Sequence, residues 1–407
     1  MNQAFLALAV TLAAQVATTV ALNAPAVLAP IAASSLGLPA ERIGWFTGLA
    51  YCSAMFTGLI VSHHVTRIGA VRLTQWAMLA SALGLSLLSM NQAWLVLAAA
   101  VAMGLGYGCT NPAAAEILTR LTPAHRRGLF FSIKQTGVPL GVGLAGLSLS
   151  LLLAFYSWQI SSLVLTIPCL AVALLSQPSR RQLEDRCSDL QASQARKTLL
   201  NSMTGPLRLV FGDQHLRRLG LSSFAYSSTQ ICFVTFLVSY FHLELKQSIS
   251  FAALVLAGSQ IVSTVGRVFW GYVSDRWLRP GLLLGMLGLS MALCMQWLSR
   301  LDAQSSPETL IVCALACAAT VVAWNGVYFA EMANRAPADQ IAQANGGTQF
   351  ITFLGGMVGP VLFGLGVSAS GSYSLPLACC SLLPLAAGLS FLRAHRIEGT
   401  AKRVSTK

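Results

Sequence analysis

Residues Gly266 to Gly281 read GRVFWGYVSDRWLRPG, and in them an apolar segment runs without a break into a short, strongly charged turn. Asp275, Arg276 and Arg279 crowd into that turn, and an apolar run resumes at Leu282. Charge is costly in hydrocarbon, so such a turn belongs where one spanning helix leaves a bilayer and the next enters it. The stretch reads as a helix, a charged hinge and a second helix at a water boundary.

The rest of the chain has the same character. Of its 407 residues 55% are hydrophobic and only 10% charged, against about 25% charged in soluble domains. Cutting the sequence at charged or turn-rich points gives twelve candidate spans: 4–33, 43–62, 74–91, 94–118, 129–155, 158–177, 218–241, 250–274, 282–299, 309–332, 345–369 and 375–393. Each is long enough for a hydrocarbon core that needs roughly 20 helical residues. The expected fold class is an all-α membrane protein in two pseudo-symmetric bundles of six helices, residues 1–177 and 218–393. A polar linker, 178–217, joins them, and a tail, 394–407, follows.

The spacing of Gly271, Asp275, Arg276 and Arg279 resembles the signature that major facilitator superfamily transporters carry between helices two and three and, in weaker form, between eight and nine. The first-half match, Ser62 to Arg72 (SHHVTRIGAVR), keeps Arg67, Gly69 and Arg72 but has Ser62 for the leading Gly and Thr66 for the acid. Two copies about half a chain apart are the mark of an internally duplicated transporter. The resemblance implies two bundles that rock about a central site, with the signature residues holding one side shut. It also implies that Asp275 faces the start of span five near Gly128, where the positive end of a helix would favour it. Because Thr66 replaces the first-half acid, the second-half latch is expected to dominate. The family's antiporters often carry an Arg before the Gly-x-Gly of span four, where this chain has Ala100 and Ala102. The run from Gly137 through Pro139 to Gly141, and Gly355 to Pro360, are partial matches to its antiporter motif.

Of 26 Lys and Arg, 22 fall in loops or ends on one side if both termini are cytoplasmic, whereas Arg42, Lys246 and Arg300 alone fall on the other. That asymmetry is a positive-inside signal, so the net charge of +13 calls for no nucleic acid. The first span lacks a basic n-region and reads as uncleaved. Of ten Cys, Cys187 alone lies outside the apolar spans, so no disulfide framework is expected. Neither a metal cluster, a cofactor motif, a nucleophile constellation nor a Walker-type nucleotide loop is visible, which argues against an enzyme or an ATP-driven pump. The expected partners are the lipid bilayer, a small-molecule substrate and a coupled proton, around a monomer in a bacterial inner membrane.

Polar groups within the spans are the candidates for substrate contact. Lys134 lies six residues into span five, where an ammonium needs water, a counter-ion or a substrate. It could meet an anionic group, snorkel to the surface, or pair with Glu116. Gln15, Asn111, Tyr226, Gln230, Gln260, Asn325, Tyr328 and Gln349 could line a cavity or bond between helices, and Gln349 stands opposite Lys134 in the repeat. Glu116 and Arg120 recur as Glu331 and Arg335 at an offset of 215. Each pair shares a helical face and reads as a latch, to which Arg267 one turn before Gly271 also belongs. The expected function is secondary transport of a small organic solute, an organic anion if Lys134 is functional, by alternating access. A proton-coupled multidrug efflux pump is the alternative.

Overall fold

A computed structural model describes residues 2–123, 126–184, 199–337 and 340–405. The side-chain surroundings of several helical positions, among them Thr66 and Gly128, also lie outside what it describes. Among the described residues, twelve helices are long and apolar enough to cross a membrane: Gln3–Ser35, Ala40–Ser62, Ala70–Ser89, Ala93–Leu121, Leu129–Leu152, Trp158–Ser176, Gln214–Glu244, Ile249–Arg276, Pro280–Leu298, Pro307–Met332, Ala344–Ser370 and Ser374–His395. They are called spans one to twelve below. Helices satisfy every backbone donor and acceptor within one segment, which hydrocarbon demands. Trp94, Ile261, Leu174 and Leu293 are largely exposed on these helices, an arrangement suited to lipid and adverse in water. The chain is an integral membrane protein.

The chain divides into two compact units, one of residues 1–202 with 248–257 and one of 203–247 with 258–407. Residues 248–257 thus place the start of span eight in the first unit. The polar connection carries short helices at Ser179–Glu184 and Leu199–Gly212, and the acidic and basic residues between 185 and 198 lie outside the described residues.

Within the first unit, span four packs on spans two and three, and span one on span five. Small residues set these approaches, as membrane helices lacking a hydrophobic drive require. A side chain at Gly104 or Gly108 would strike the carbonyls of Ala50 and Ala54 in span two, and one at Gly106 would strike that of Ala77 in span three. The helix of span two runs on to Ile68, and Gly69 alone, at φ 91° and ψ 132°, separates it from the helix of span three. That conformation strains any residue with a Cβ, which gives the signature glycine a structural reason. In the second unit the corresponding link is longer: span eight ends at Arg276, and span nine starts on Pro280 with its ring preset for a first helical turn.

Proline also explains three interruptions. The helix of span five breaks at Thr136, that of span six at Leu165 and that of span twelve at Ser381. Pro139, Pro168 and Pro384 each remove an amide donor from the turn behind them. Two π-helical segments, Tyr240–Glu244 in span seven and Ala318–Val322 in span ten, have no proline or other mark in the sequence. The first carries Glu244 to the start of span twelve. There its carboxylate accepts hydrogen bonds from Ser372 and Ser374 Oγ at 2.9 and 2.8 Å and from the Tyr373 amide at 2.5 Å, an acid on a positive helix end.

Candidate functional site

Three of the residues singled out in the sequence meet in the first unit. Lys134 is 2% exposed, and its Nζ donates to Gln15 Oε1 of span one and to Asn111 Oδ1 of span four, both at 2.5 Å. Gln15 is oriented in turn by donating its Nε2 to Thr19 Oγ1 at 3.2 Å, while Thr19 Oγ1 donates to the Gln15 carbonyl at 2.7 Å.

The approach of span five to span one is built into the glycines next to Lys134. A Cβ at Gly137 would sit 3.0 Å from the Gln15 side chain, and one at Gly141 would press on Thr19 and the Val16 carbonyl. The glycine stripe and the buried ammonium are thus parts of one construction. Of the three readings the sequence left open for Lys134, pairing with Glu116 is not what the structure shows. Glu116 reaches Arg120 at 3.6 Å, and Lys134 meets amide oxygens with no carboxylate among the described residues.

The second unit holds a neutral counterpart. Gln230 stands 215 residues after Gln15, a correspondence that the sequence reading missed, and Asn325 stands near the repeat of Asn111. Trp324 Nε1 donates to Gln230 Oε1 at 2.8 Å and Asn325 Nδ2 donates to the same oxygen at 3.4 Å. Gly355 and Gly359 of span eleven press on Phe224 and Ser228 of span seven, as Gly137 and Gly141 do on span one. Gln349, in the place of Lys134, is half-buried and forms no side-chain hydrogen bond among the described residues.

The remaining candidates fall into two classes. Tyr226 is fully buried, donates to the Leu284 carbonyl at 2.7 Å and packs edge-on against Trp324, so its hydroxyl is spent between helices. Tyr328 also packs edge-on against Trp324, and its hydroxyl faces Ser223, Thr348 and Thr352 without hydrogen-bond geometry to them. Gln260 donates to Ser259 Oγ at 3.0 Å, but its Oε1 is buried without a partner, as is the nearby Ser263 hydroxyl. Such orphaned atoms mark a place where water or a ligand group is wanted.

The expected gating residues lie at the helix ends. Asp275, Arg276, Arg279, Arg67 and Arg72 are exposed, and nothing stands within 4 Å of a Cβ built on Gly271. Arg267 Nη2 donates to the Val322 carbonyl of span ten at 3.3 Å. Arg120 donates to the Leu183 carbonyl as well as facing Glu116. Glu331 and Arg335 pair at 3.0 Å, with Glu331 only 6% exposed. Gly281, in the first turn of span nine, leaves room for that carboxylate, since a Cβ there would be 2.9 Å from Glu331 Oε1. The surroundings of Thr66 and of Gly128, the expected neighbour of Asp275, lie outside what the structure describes.

Known proteins share this architecture. The chain is 21% identical over 393 residues to the hexuronate transporter of Bacillus subtilis (strain 168), covering 91% of this chain and 90% of that one. Its fold matches a bacterial homologue of the human lysosomal transporter Spinster, with a TM-score of 0.76, 15% identity and 96% of both chains covered. It also matches a nucleoside transporter, at a TM-score of 0.76, 12% identity and 94% of this chain and 99% of that one. The sequence profile of the Major Facilitator Superfamily matches residues 7–242 and again 219–406. Twelve spans, the repeated half and a profile match across both halves converge: the chain is a transporter belonging to the Major Facilitator Superfamily.

Proposed function

We propose that the protein is a secondary transporter of a small organic anion, with a carboxylate as the group recognised, and that Lys134 is the recognising charge. The observation that carries this reading is an ammonium buried in a membrane span with two neutral amide oxygens as its hydrogen-bond partners. An ammonium has three donors, so one remains for a ligand. A charge in a membrane interior is costly until it meets an opposite one, and an arriving carboxylate removes that cost. The relative named for hexuronate, a sugar acid, supports the same chemistry. The distribution of basic residues supports termini on the cytoplasmic side, with the inner membrane of a bacterium as the location. The reading also takes a proton gradient as the driving force and alternating access as the route.

The test is uptake of labelled hexuronates and of the matching neutral hexoses into proteoliposomes, with and without an imposed pH gradient. Saturable uptake of the acid but not of the neutral sugar, reduced when Lys134 is replaced by Gln, is the expected result. Uptake indifferent to substrate charge, or unchanged by that replacement, overturns it. Export of lipophilic drugs by such a preparation would favour the efflux alternative.

A further inference from the structure

At the charged end of the second unit lies a cleft of about 300 Å³, away from the Lys134 cluster in the first. His215 and Arg218 enter it from the start of span seven, Arg279 from the cap of span nine, Glu331 and Arg335 from the end of span ten, and His395 from the end of span twelve. Three guanidiniums face a single carboxylate. Glu331 is engaged by Arg335 at 3.0 Å, and neither Arg218 nor Arg279 has a carboxylate within 4.0 Å among the described residues. The amides of Gly281 and Leu282 lie in the first turn of span nine, where the helix has no internal acceptor for them.

We infer that this cleft binds a phosphate group, presented by an anionic lipid headgroup or by a soluble phosphate. Guanidiniums offer paired donors that match phosphate oxygens, and the start of a helix adds donors and positive potential. Glu331 sits inside the cleft, but Arg335 neutralises it, so two positive charges remain uncompensated even with both histidines neutral. Leu219, Leu282 and Phe391 also line it, which gives an apolar flank beside the basic one, as the acyl chains behind a lipid phosphate require. Basic pockets between spanning helices on the cytoplasmic side are used for anionic headgroups elsewhere. The inference does not rest on the transport reading, and its readout involves no transport.

The experiment uses the full chain purified in detergent. Native mass spectrometry follows binding of dioleoyl phosphatidylglycerol against dioleoyl phosphatidylcholine, and thermal unfolding follows inorganic phosphate against chloride at equal ionic strength. Retention of the anionic lipid over the zwitterionic one, or a rise in melting temperature with phosphate, is expected. Retention of lipid alone assigns the headgroup as the source, and a response to phosphate alone assigns the soluble ion. Arg218→Gln combined with Arg279→Gln is expected to weaken binding about tenfold, whereas the Arg218→Lys and Arg279→Lys pair retains most of it. Arg300→Gln, at the other end of span nine, leaves it unchanged. If neither ligand binds, or if the Gln pair binds as the parent does while the chain stays folded, the inference is wrong. Should the Gln pair not fold, Arg218→Gln alone decides on the same terms, with about a threefold loss expected.

Discussion

The two units build one arrangement of amides and charge one of them. In the first, Gln15 and Asn111 turn their oxygens toward Lys134 at 2.5 Å. In the second, Gln230 turns its oxygen toward Trp324 and Asn325, and Gln349 stands where the lysine would be. The same glycine spacing presses span five on span one and span eleven on span seven. Duplication therefore supplied a polar station in each half, and a single amide-to-ammonium difference separates a site that attracts anions from one that can only hydrogen-bond. On the reading proposed above, the first station would meet an anionic substrate by charge and the second by neutral contacts alone.

Measurements can sharpen or break this contrast. Replacing Lys134 by Gln makes the two stations alike. It should raise the KM for an anionic substrate by about 10- to 100-fold, since hydrogen bonds to charged groups are worth about 1.5–3 kcal/mol. Unchanged uptake kinetics would show that the charge serves packing alone. If the signature residues form a gate, Asp275→Asn should slow transport about tenfold and Thr66→Ala about twofold or less, by the scale of one lost charge-assisted contact. Equal effects would remove the claim that the second-half signature dominates. Gln230→Ala should cost about three- to tenfold in transport, the weight of a neutral hydrogen bond. A loss as large as that for Lys134→Gln would mean that the neutral station matters equally. Smallest of all, Tyr226→Phe should lower stability by about 1 kcal/mol through the lost bond to the Leu284 carbonyl and leave KM alone. A change in KM instead would return this tyrosine to the substrate.

Some of this was legible in the sequence for a plain physical reason. A span must be about 20 apolar residues long, so each expected span overlaps an observed one, with ends displaced by a few residues. A lysine inside such a run declares itself. Its partners do not, because Gln15 lies 119 residues away and only the glycines at 137 and 141 bring that span close. Facing was the main blind spot. Tyr226 and Tyr328 share a helix-deep position with the amides, yet nothing in composition tells that one hydroxyl is bound to a neighbouring backbone and the other is not. The latch pairs show the same limit. Glu116 with Arg120 and Glu331 with Arg335 are identical in spacing, but the first pair is half-open on both sides at 3.6 Å, whereas in the second, at 3.0 Å, the carboxylate is buried beside Gly281 and the guanidinium is exposed.

The π-helical segment Ala318–Val322 in span ten ends two residues before Trp324. Each such segment accommodates one more residue than an α-helical turn would, so everything after it is rotated by about 100° relative to an uninterrupted helix. The bearing of Trp324 and Asn325 toward Gln230 is thus set by a residue count upstream. Deleting any one residue between 318 and 322 should heal the helix, keep the span long enough to cross, and turn both side chains away from their amide. Here a shorter chain would be a more regular molecule and a poorer transporter.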